Sequence, residues 1–247
     1  AYRTAAETFV RGDAGGTWTG RDILWARAAP SKKKQTETGS LRATILFCND
    51  LHGNLTPFKV RKEDGSSAEV GGIAGIASLV KEIRAENNRK GIRTYLLVAG
   101  DVLQGTPMST VFQGKPDIEI FNAMGVNAMT VGNHEFDFGL ENFLAIKKTA
   151  KFPIISSNII WKESRTLMND PSTTFPLGGS AVLTVIGATT TELLVTTAPA
   201  NVEKVDVLDS IATVTENVRK AKGKGPVLLL SHSRFQTDSD IAKANPG

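Results

Sequence analysis

Apolar runs alternate with segments of helical periodicity along the chain after residue 40. Runs typical of buried strands lie at residues 43–48, 94–99, 126–131, 152–159, 181–188 and 227–230. Segments that repeat apolar residues at the spacing of one helix face lie at 71–88, 117–124, 140–150 and 209–225. Strands that alternate with helices of this length predict βαβ units, and hence an α/β fold with a mainly parallel sheet covered by helices on both faces.

The remaining segments carry the turn residues and charges of loops. Residues 64–67 are polar, and the stretch from the strand at 152–159 to Gly179 is rich in Pro, Asp and Ser, so both are predicted to be loops. Residues 1–40 hold breakers and charges such as GDAGG and KKK, with only short apolar groups between them. They are predicted to form an N-terminal extension of unknown role, followed by one domain at 41–247.

Polar side chains that bind metals follow several of the predicted strands. Parallel strands bring their carboxyl ends to one edge of a sheet, which is where ligands bind in open α/β sheets. The three histidines of the chain all fall at such ends. The residues concerned are Asp50, His52, Asp101, Asn133, His134, Asp137 and His232.

These residue types suit a pair of divalent cations. Imidazole and carboxylate groups bind borderline ions such as Zn²⁺ and Mn²⁺, an aspartate can bridge two of them, and an Asn oxygen moderates the charge. Such ions hold phosphate and lower the pKa of bound water. His134 and Asp137 suit a different role, an imidazole oriented by a carboxylate that assists the transferring phosphoryl group. A lone D-x-H is more often a turn with a satisfied histidine, so the prediction depends on the ordered set.

Composition adds few constraints. The chain has 247 residues, 40% apolar and 22% charged, which is ordinary for a globular protein. Its net charge of +4 resides largely in two local runs, and no basic stripe with interleaved aromatics predicts a nucleic-acid partner. Cys48, the single cysteine, lies in an apolar run and is predicted to pack in the core. No apolar stretch is long enough to predict a membrane span.

Five segments together resemble a known family. FCNDLHGN, VGGIAGIASLV, VAGDVLQGT, TVGNHEFDFG and LLSHS are similar to the N-terminal metallophosphoesterase domain of the 5'-nucleotidase and 2',3'-cyclic-nucleotide phosphodiesterase family. The resemblance covers about residues 42–247 and implies a calcineurin-like metallophosphoesterase fold, a layered α/β/β/α sandwich with two central sheets. It implies two divalent metal ions, most readily Zn, Mn or Co. It implies metal ligands at Asp50, His52, Asp101, Asn133 and His232, with Asp101 bridging, and a catalytic pair at His134 and Asp137.

The resemblance also implies parts that this sequence does not contain. Family members carry a further histidine motif, of the type GGHS or GHTH, shortly after the position where this chain ends, and a C-terminal domain that grips the base. We favour the interpretation that the chain is a fragment, with the C-terminal remainder of the same protein as its partner, over a protein with an incomplete site. The family is commonly periplasmic, secreted or surface-anchored, so an extracytoplasmic location is expected.

Several functions remain open at this point. The first is hydrolysis of phosphate esters, above all nucleotides, by a dinuclear metal centre with metal-bound hydroxide as nucleophile. A relative acting on another ester, such as a nucleotide sugar or a thiosulfate conjugate, fits the same residues. A non-catalytic binding or structural protein on the same scaffold is the alternative from a different class. A nucleic-acid enzyme of this fold ranks last, because the charge excess is small.

Overall fold

The computed structural model describes residues 41–246, so the predicted extension at 1–40 lies outside the described part of the chain. The strands are β1 (Ala43–Cys48), β2 (Pro57–Arg61), β3 (Ser67–Gly71), β4 (Arg93–Val98), β5 (Ala128–Thr130), β6 (Ile154–Ile155), β7 (Ile159–Trp161), β8 (Ser172–Gly178), β9 (Ala181–Thr189), β10 (Val205–Val207) and β11 (Val227–His232).

The helices lie mainly between strands of the two larger sheets. They are α1 (Ile73–Arg89), α2 (Pro107–Val111), α3 (Lys115–Met124), α4 (Leu140–Thr149), α5 (Leu193–Thr196), α6 (Ser210–Ala221) and α7 (Phe235–Ala244). Two 3₁₀ helices cover His134–Phe136 and Pro199–Asn201. No helix within residues 41–246 is long and apolar enough to cross a membrane.

Two central sheets form the core of the domain. One has the strand order β1-β4-β5-β6 and is parallel throughout. The other has the order β11-β9-β8, in which β11 runs parallel and β8 antiparallel to β9. An apolar cluster with members from both sheets lies between them. Helices α1, α3 and α4 cover the outer face of the first sheet, and α6 and α7 cover that of the second. The layered α/β/β/α sandwich is therefore confirmed.

Successive side chains of a central strand point in turn to the helix layer and to the second sheet. In β4, Leu96 and Val98 point to the helix layer, whereas Tyr95 and Leu97 point to the second sheet. The expectation from periodicity alone, of a sheet with helices on both faces, is wrong. A strand buried on both faces has the same continuous apolar pattern whether a helix or a second sheet covers it.

Other differences from the sequence predictions are local. The predicted loop at 64–67 is the turn of the hairpin formed by β2 and β3, and β8 lies inside the predicted loop that ends at Gly179. The predicted strand at 152–159 divides into β6 and the start of β7, which belong to different sheets. Helices α2 and α7 were not predicted. Cys48 packs against the core as expected, and burial raises the pKa of its thiol to about 12.

A buried polar network joins the two central sheets next to the predicted site. The Thr189 hydroxyl donates to the carbonyl of Val131 over 2.7 Å, and the Asn158 side chain bonds both the amide and the carbonyl of Thr189. Because unsatisfied polar groups are costly in a core, these bonds favour one relative position of the sheets. Thr189 pairs with His232 in the register of β9 and β11, so the network lies at the level of that histidine.

Candidate metal centre

Asp101 lies at the centre of the predicted site. It follows β4, and it is only 4% exposed. Its Oδ2 atom is 3.1 Å from Nε2 of His232, and 3.9 Å from Nε2 of both His52 and His134. The three histidines of the chain thus direct ring nitrogens at one carboxylate oxygen.

Two groups of candidate ligand atoms share Asp101. One contains His52 and His134, and the other contains Asp50 and His232; within each group the ligand atoms lie within 4.8 Å of one another. Nε2 of His52 is also 3.8 Å from Oδ1 of Asp50, so the two groups adjoin. A carboxylate that belongs to two neighbouring ligand groups has oxygen atoms within reach of both.

The loops after β1 and β4 hold their polar residues in an uncommon backbone conformation. Asp50, His52 and Asp101 have φ angles of 51°, 46° and 52°, in the left-handed region that few residues other than glycine adopt. The loops run side by side, because Asp50 N donates to Gly100 O over 3.1 Å and His52 N donates to Asp101 O over 3.1 Å. Strained backbone of this kind occurs often at functional sites, where it aims side chains.

The ring of His232 is fixed by its second nitrogen. Nδ1 lies 2.7 Å from the carbonyl oxygen of Ala99, which can only accept, so Nδ1 carries the proton and Nε2 faces Asp101. Burial alone would lower the pKa of His232, but the hydrogen bond and charge of Asp101 raise it to about 9. Burial likewise raises the pKa of Asp101, but the bond and charge of His232 hold it below its usual value. Histidines that bind metals commonly donate the hydrogen of their other ring nitrogen to a backbone carbonyl, which fixes the orientation of the ring.

His134 and Asp137 form the pair that their spacing predicts. His134 begins the 3₁₀ helix at 134–136, and its Nδ1 is 2.6 Å from Oδ2 of Asp137. Burial lowers the pKa of His134, but the hydrogen bond to Asp137 and the charge of Asp101 outweigh burial and raise it. The ring meets that of His52 edge to face, with centroids 4.9 Å apart. The geometry alone permits His134 either as a metal ligand or as a proton donor.

Asn133 stands next to His134 at the start of the same turn. A segment that follows β9 supports this turn from the side: Thr197 Oγ1 donates to Asn133 O over 3.2 Å, and Asn201 Nδ2 donates to Asp137 O over 2.9 Å. The turn therefore depends on contacts far along the chain. Of the predicted residues, Asp50 is the most open, with 46% of its side chain exposed.

Sequence reasoning gave no role to Glu135, which the structure places beneath the site. Its carboxylate is fully buried and accepts hydrogen bonds from three backbone amides. The only signal in the sequence was the density of polar groups in TVGNHEFDFG. Gly132, in the same stretch, has no room for a side chain, because a Cβ atom there would lie 2.2 Å from Oδ1 of Asp101.

The donor set fits divalent cations. Carboxylate oxygens and imidazole nitrogens converge within one small region, and the Ala99 contact leaves the lone pair of His232 Nε2 available to a ligand once its proton is lost. Such mixed oxygen and nitrogen ligands suit Zn²⁺, Mn²⁺ and related ions.

Comparison with known proteins identifies the class to which this fold and site belong. Residues 43–244 match the family model described as calcineurin-like phosphoesterase, so the chain belongs to that family. This family implies divalent metal ions. The resemblance to 5'-nucleotidases is also confirmed. The chain is 34% identical over 236 residues to the 5'-nucleotidase of Homo sapiens, a match that covers 90% of the chain and 37% of that protein.

Two solved structures extend the comparison. The NAD nucleotidase of Haemophilus influenzae matches with a TM-score of 0.70 and 30% identity, over 80% of this chain and 35% of that one. The sulfate thiohydrolase SoxB of Thermus thermophilus matches with a TM-score of 0.77 but 20% identity, over 86% of this chain and 48% of that one, which shows the shared fold alone. The chain thus spans little more than a third of the length of the 5'-nucleotidase relatives.

Proposed function

We propose that the protein hydrolyses phosphate esters, most readily those of nucleotides, with two divalent metal ions bound around Asp101. The observation that carries this proposal is the convergence of three imidazole Nε2 atoms on Oδ2 of Asp101, at 3.1 to 3.9 Å. A buried carboxylate on which imidazole groups converge suits divalent cations well, because carboxylate oxygens and imidazole nitrogens are both ligands of such ions.

Five residues would hold the ions. Asp101 would be shared between them, and the other ligands would be Asp50, His52, Asn133 and His232. The ions, when bound, supply a water nucleophile of lowered pKa and neutralise charge on the phosphate. Zn, Mn or Co suits this donor set. His232 must lose its Nε2 proton before it binds a cation, so metal binding is expected to release protons.

We assign the chemical role to His134 and Asp137. The contact of 2.6 Å between Nδ1 and Asp137 fixes the ring and favours its charged form, while Nε2 points into the centre toward Asp101. A proton held at Nε2 can stabilise charge on the transferring phosphoryl group, or pass to the leaving oxygen. Asn133, adjacent on the same turn, leaves His134 free of metal binding in this assignment.

The choice of nucleotides as substrates is supported by the relatives. The human 5'-nucleotidase and the NAD nucleotidase of Haemophilus influenzae share 34% and 30% identity with the chain. A nucleotide sugar or thiosulfate conjugate is the alternative substrate class, but the SoxB likeness at 20% identity gives it no support beyond the fold. An extracytoplasmic location belongs to the same proposal and depends on the family resemblance alone. A further substrate-binding domain also belongs to it, because the chain covers only 37% and 35% of the length of these two relatives.

The test is ester hydrolysis by the full-length protein after loading with Mn²⁺, Zn²⁺ or Co²⁺. Phosphate release would be measured with nucleoside monophosphates and p-nitrophenyl phosphate, and conversion to the nucleoside monophosphate would be measured by chromatography with cyclic nucleotides. We expect turnover of nucleotides that EDTA abolishes and added metal restores. Absence of turnover on every substrate with metal bound would overturn the proposal and favour the non-catalytic scaffold, as would failure of the purified protein to bind metal at all.

A further inference from the structure

Glu135 is the one carboxylate of TVGNHEFDFG for which the proposed mechanism has no role. Its Oε2 atom accepts hydrogen bonds from Asp101 N at 3.0 Å and from Gly132 N at 2.6 Å, and its Oε1 atom accepts one from Val102 N at 2.8 Å. These amides belong to the loops that follow β4 and β5. A single side chain therefore joins the loop of the central aspartate to the loop of the catalytic histidine.

The loop after β5 and the loop of Asp101 each donate a hydrogen bond to a carboxylate of the other. While Glu135 holds the amide of Asp101, Oδ1 of Asp101 accepts a hydrogen bond from His134 N over 3.0 Å. With Oδ1 occupied in this way, Oδ2 is the oxygen that faces the three imidazoles. The orientation of the Asp101 carboxylate is thus fixed by the same pair of loops that Glu135 joins.

A buried carboxylate is a costly way to join two loops. Burial raises the pKa of Glu135, and the nearby charge of Asp101 adds to this effect. All three amides donate to it, however, and only a carboxylate offers acceptors on both of its terminal atoms. A glutamine of the same shape would present one amide nitrogen that repels an N–H donor.

The junction has little room for adjustment. A Cβ atom at Gly132 would lie 2.2 Å from Oδ1 of Asp101 and 2.9 Å from Oε2 of Glu135. At Gly100, a Cβ atom would lie 2.7 Å from Gly132 N. The two loops touch directly. A shift of the loop after β5 would therefore displace the carboxylate of Asp101, which lies on the loop after β4.

We propose that Glu135 is a positioning residue that sets the place of the Asp101 carboxylate relative to His134. It would determine how both metal ions are held and how far they lie from the catalytic imidazole, without contacting metal or substrate. The consequence for catalysis rests on the proposed function, but metal affinity tests the positioning role independently of turnover.

The test uses Glu135→Gln in the full-length protein, with Glu141→Gln as the matched control. Glu141 is an exposed carboxylate on the helix α4 that follows the same stretch. Co²⁺ would be titrated into each metal-free protein and followed by visible absorption and calorimetry. Phosphate release at saturating metal would then give kcat and KM. We expect Glu135→Gln to lower Co²⁺ affinity or kcat by about 10- to 100-fold, as changes behind metal ligands typically do, with an altered Co²⁺ spectrum and little change in KM.

Two results would overturn the inference. One is a Glu135→Gln protein with wild-type Co²⁺ affinity, spectrum and kcat. The other is activity loss that only follows the unfolded fraction measured by circular dichroism. If Glu135→Gln does not fold, Glu135→Asp, which keeps two acceptor oxygens, replaces it, and wild-type Co²⁺ binding and kcat in that shorter variant would equally contradict a positioning role. Absence of turnover in the wild type would instead count against the proposed function, while Co²⁺ binding still tests Glu135.

Discussion

Nε2 of His232 lies 3.1 Å from Oδ2 of Asp101, although the two residues belong to different sheets of the sandwich. Asp101 follows β4 in the parallel sheet, and His232 ends β11 in the mixed sheet. The candidate metal centre therefore exists only when the two sheets are packed together. The hydrogen bonds that Thr189 makes with Val131 and Asn158 stabilise the packing of the sheets on which this distance between His232 and Asp101 depends.

Replacing Asp101 by Asn is expected to weaken both metal positions at once. The shared carboxylate would lose its charge toward two cations, and activity should fall by at least about 10²-fold. Metal content after dialysis, measured by mass spectrometry with inductively coupled plasma, checks the first effect. Asn133→Ala is the matched variant, since it should affect one position only. Unchanged metal content in Asp101→Asn would remove Asp101 from the shared position.

Replacing His134 by Asn should separate chemistry from metal binding. The imidazole to which we assign the phosphoryl-transfer role would be lost while the five proposed ligands remain, so we expect kcat to fall by at least about 10²-fold with near-normal metal content and thermal stability. Asp137→Asn should cost less, because it disturbs only the orientation and charge of the ring.

The outcome for His134 also decides between two roles that the geometry permits. Parallel loss of metal and activity would make His134 a ligand, in keeping with its membership of the group that contains His52 and Asp101. Full activity with both metals bound would leave His134 without a chemical role.

Much of the site could be predicted because its residues follow apolar runs that are easy to recognise. Asp50, Asp101 and Asn133 come two or three residues after the ends of β1, β4 and β5, and parallel pairing brings such ends together. The role of Glu135 could not be predicted in this way. The order of neighbouring residues in a sequence does not distinguish a carboxylate that faces a cation from one that points inward and accepts hydrogen bonds from backbone amides.

The layer order depended on resemblance for a similar physical reason. Leu97 is fully buried against the second sheet, and Val98 is fully buried against helices. Both positions are apolar, so the strand sequence does not distinguish a covering sheet from a covering helix. Strand β8 was hidden by Pro176 and Gly178, since both residues are typical of turns but here lie at an irregular strand end.

Asp117 provides a prediction on stability that does not involve the centre. It lies fully buried in the first turn of α3, and neither carboxylate oxygen makes a hydrogen bond of good geometry within residues 41–246, although the nearby Ser109 side chain offsets part of the effect of burial on its pKa. Burial raises its pKa from 3.8 to about 6. The folded state therefore keeps this proton to a higher pH than the unfolded state, and this group reduces stability as pH rises from about 4 to 6.

We expect Asp117→Asn to raise the free energy of unfolding by about 1–2 kcal/mol at pH 8, where the carboxylate is charged, and by much less near pH 4. Urea unfolding at both pH values measures the difference, with the exposed Glu141→Gln as control. An equal effect at the two pH values would show that the charge of Asp117 is not the cause.

The most direct test of the account is to count the metal ions that activity requires. Full-length protein stripped by EDTA and dialysed would be titrated with Mn²⁺, while phosphate release from a nucleoside monophosphate is followed. The account predicts no turnover without metal and full recovery only when two equivalents are bound, with Asp101→Asn failing to recover. Turnover that persists in metal-free protein, or that saturates at one equivalent, would contradict a centre built on a shared Asp101.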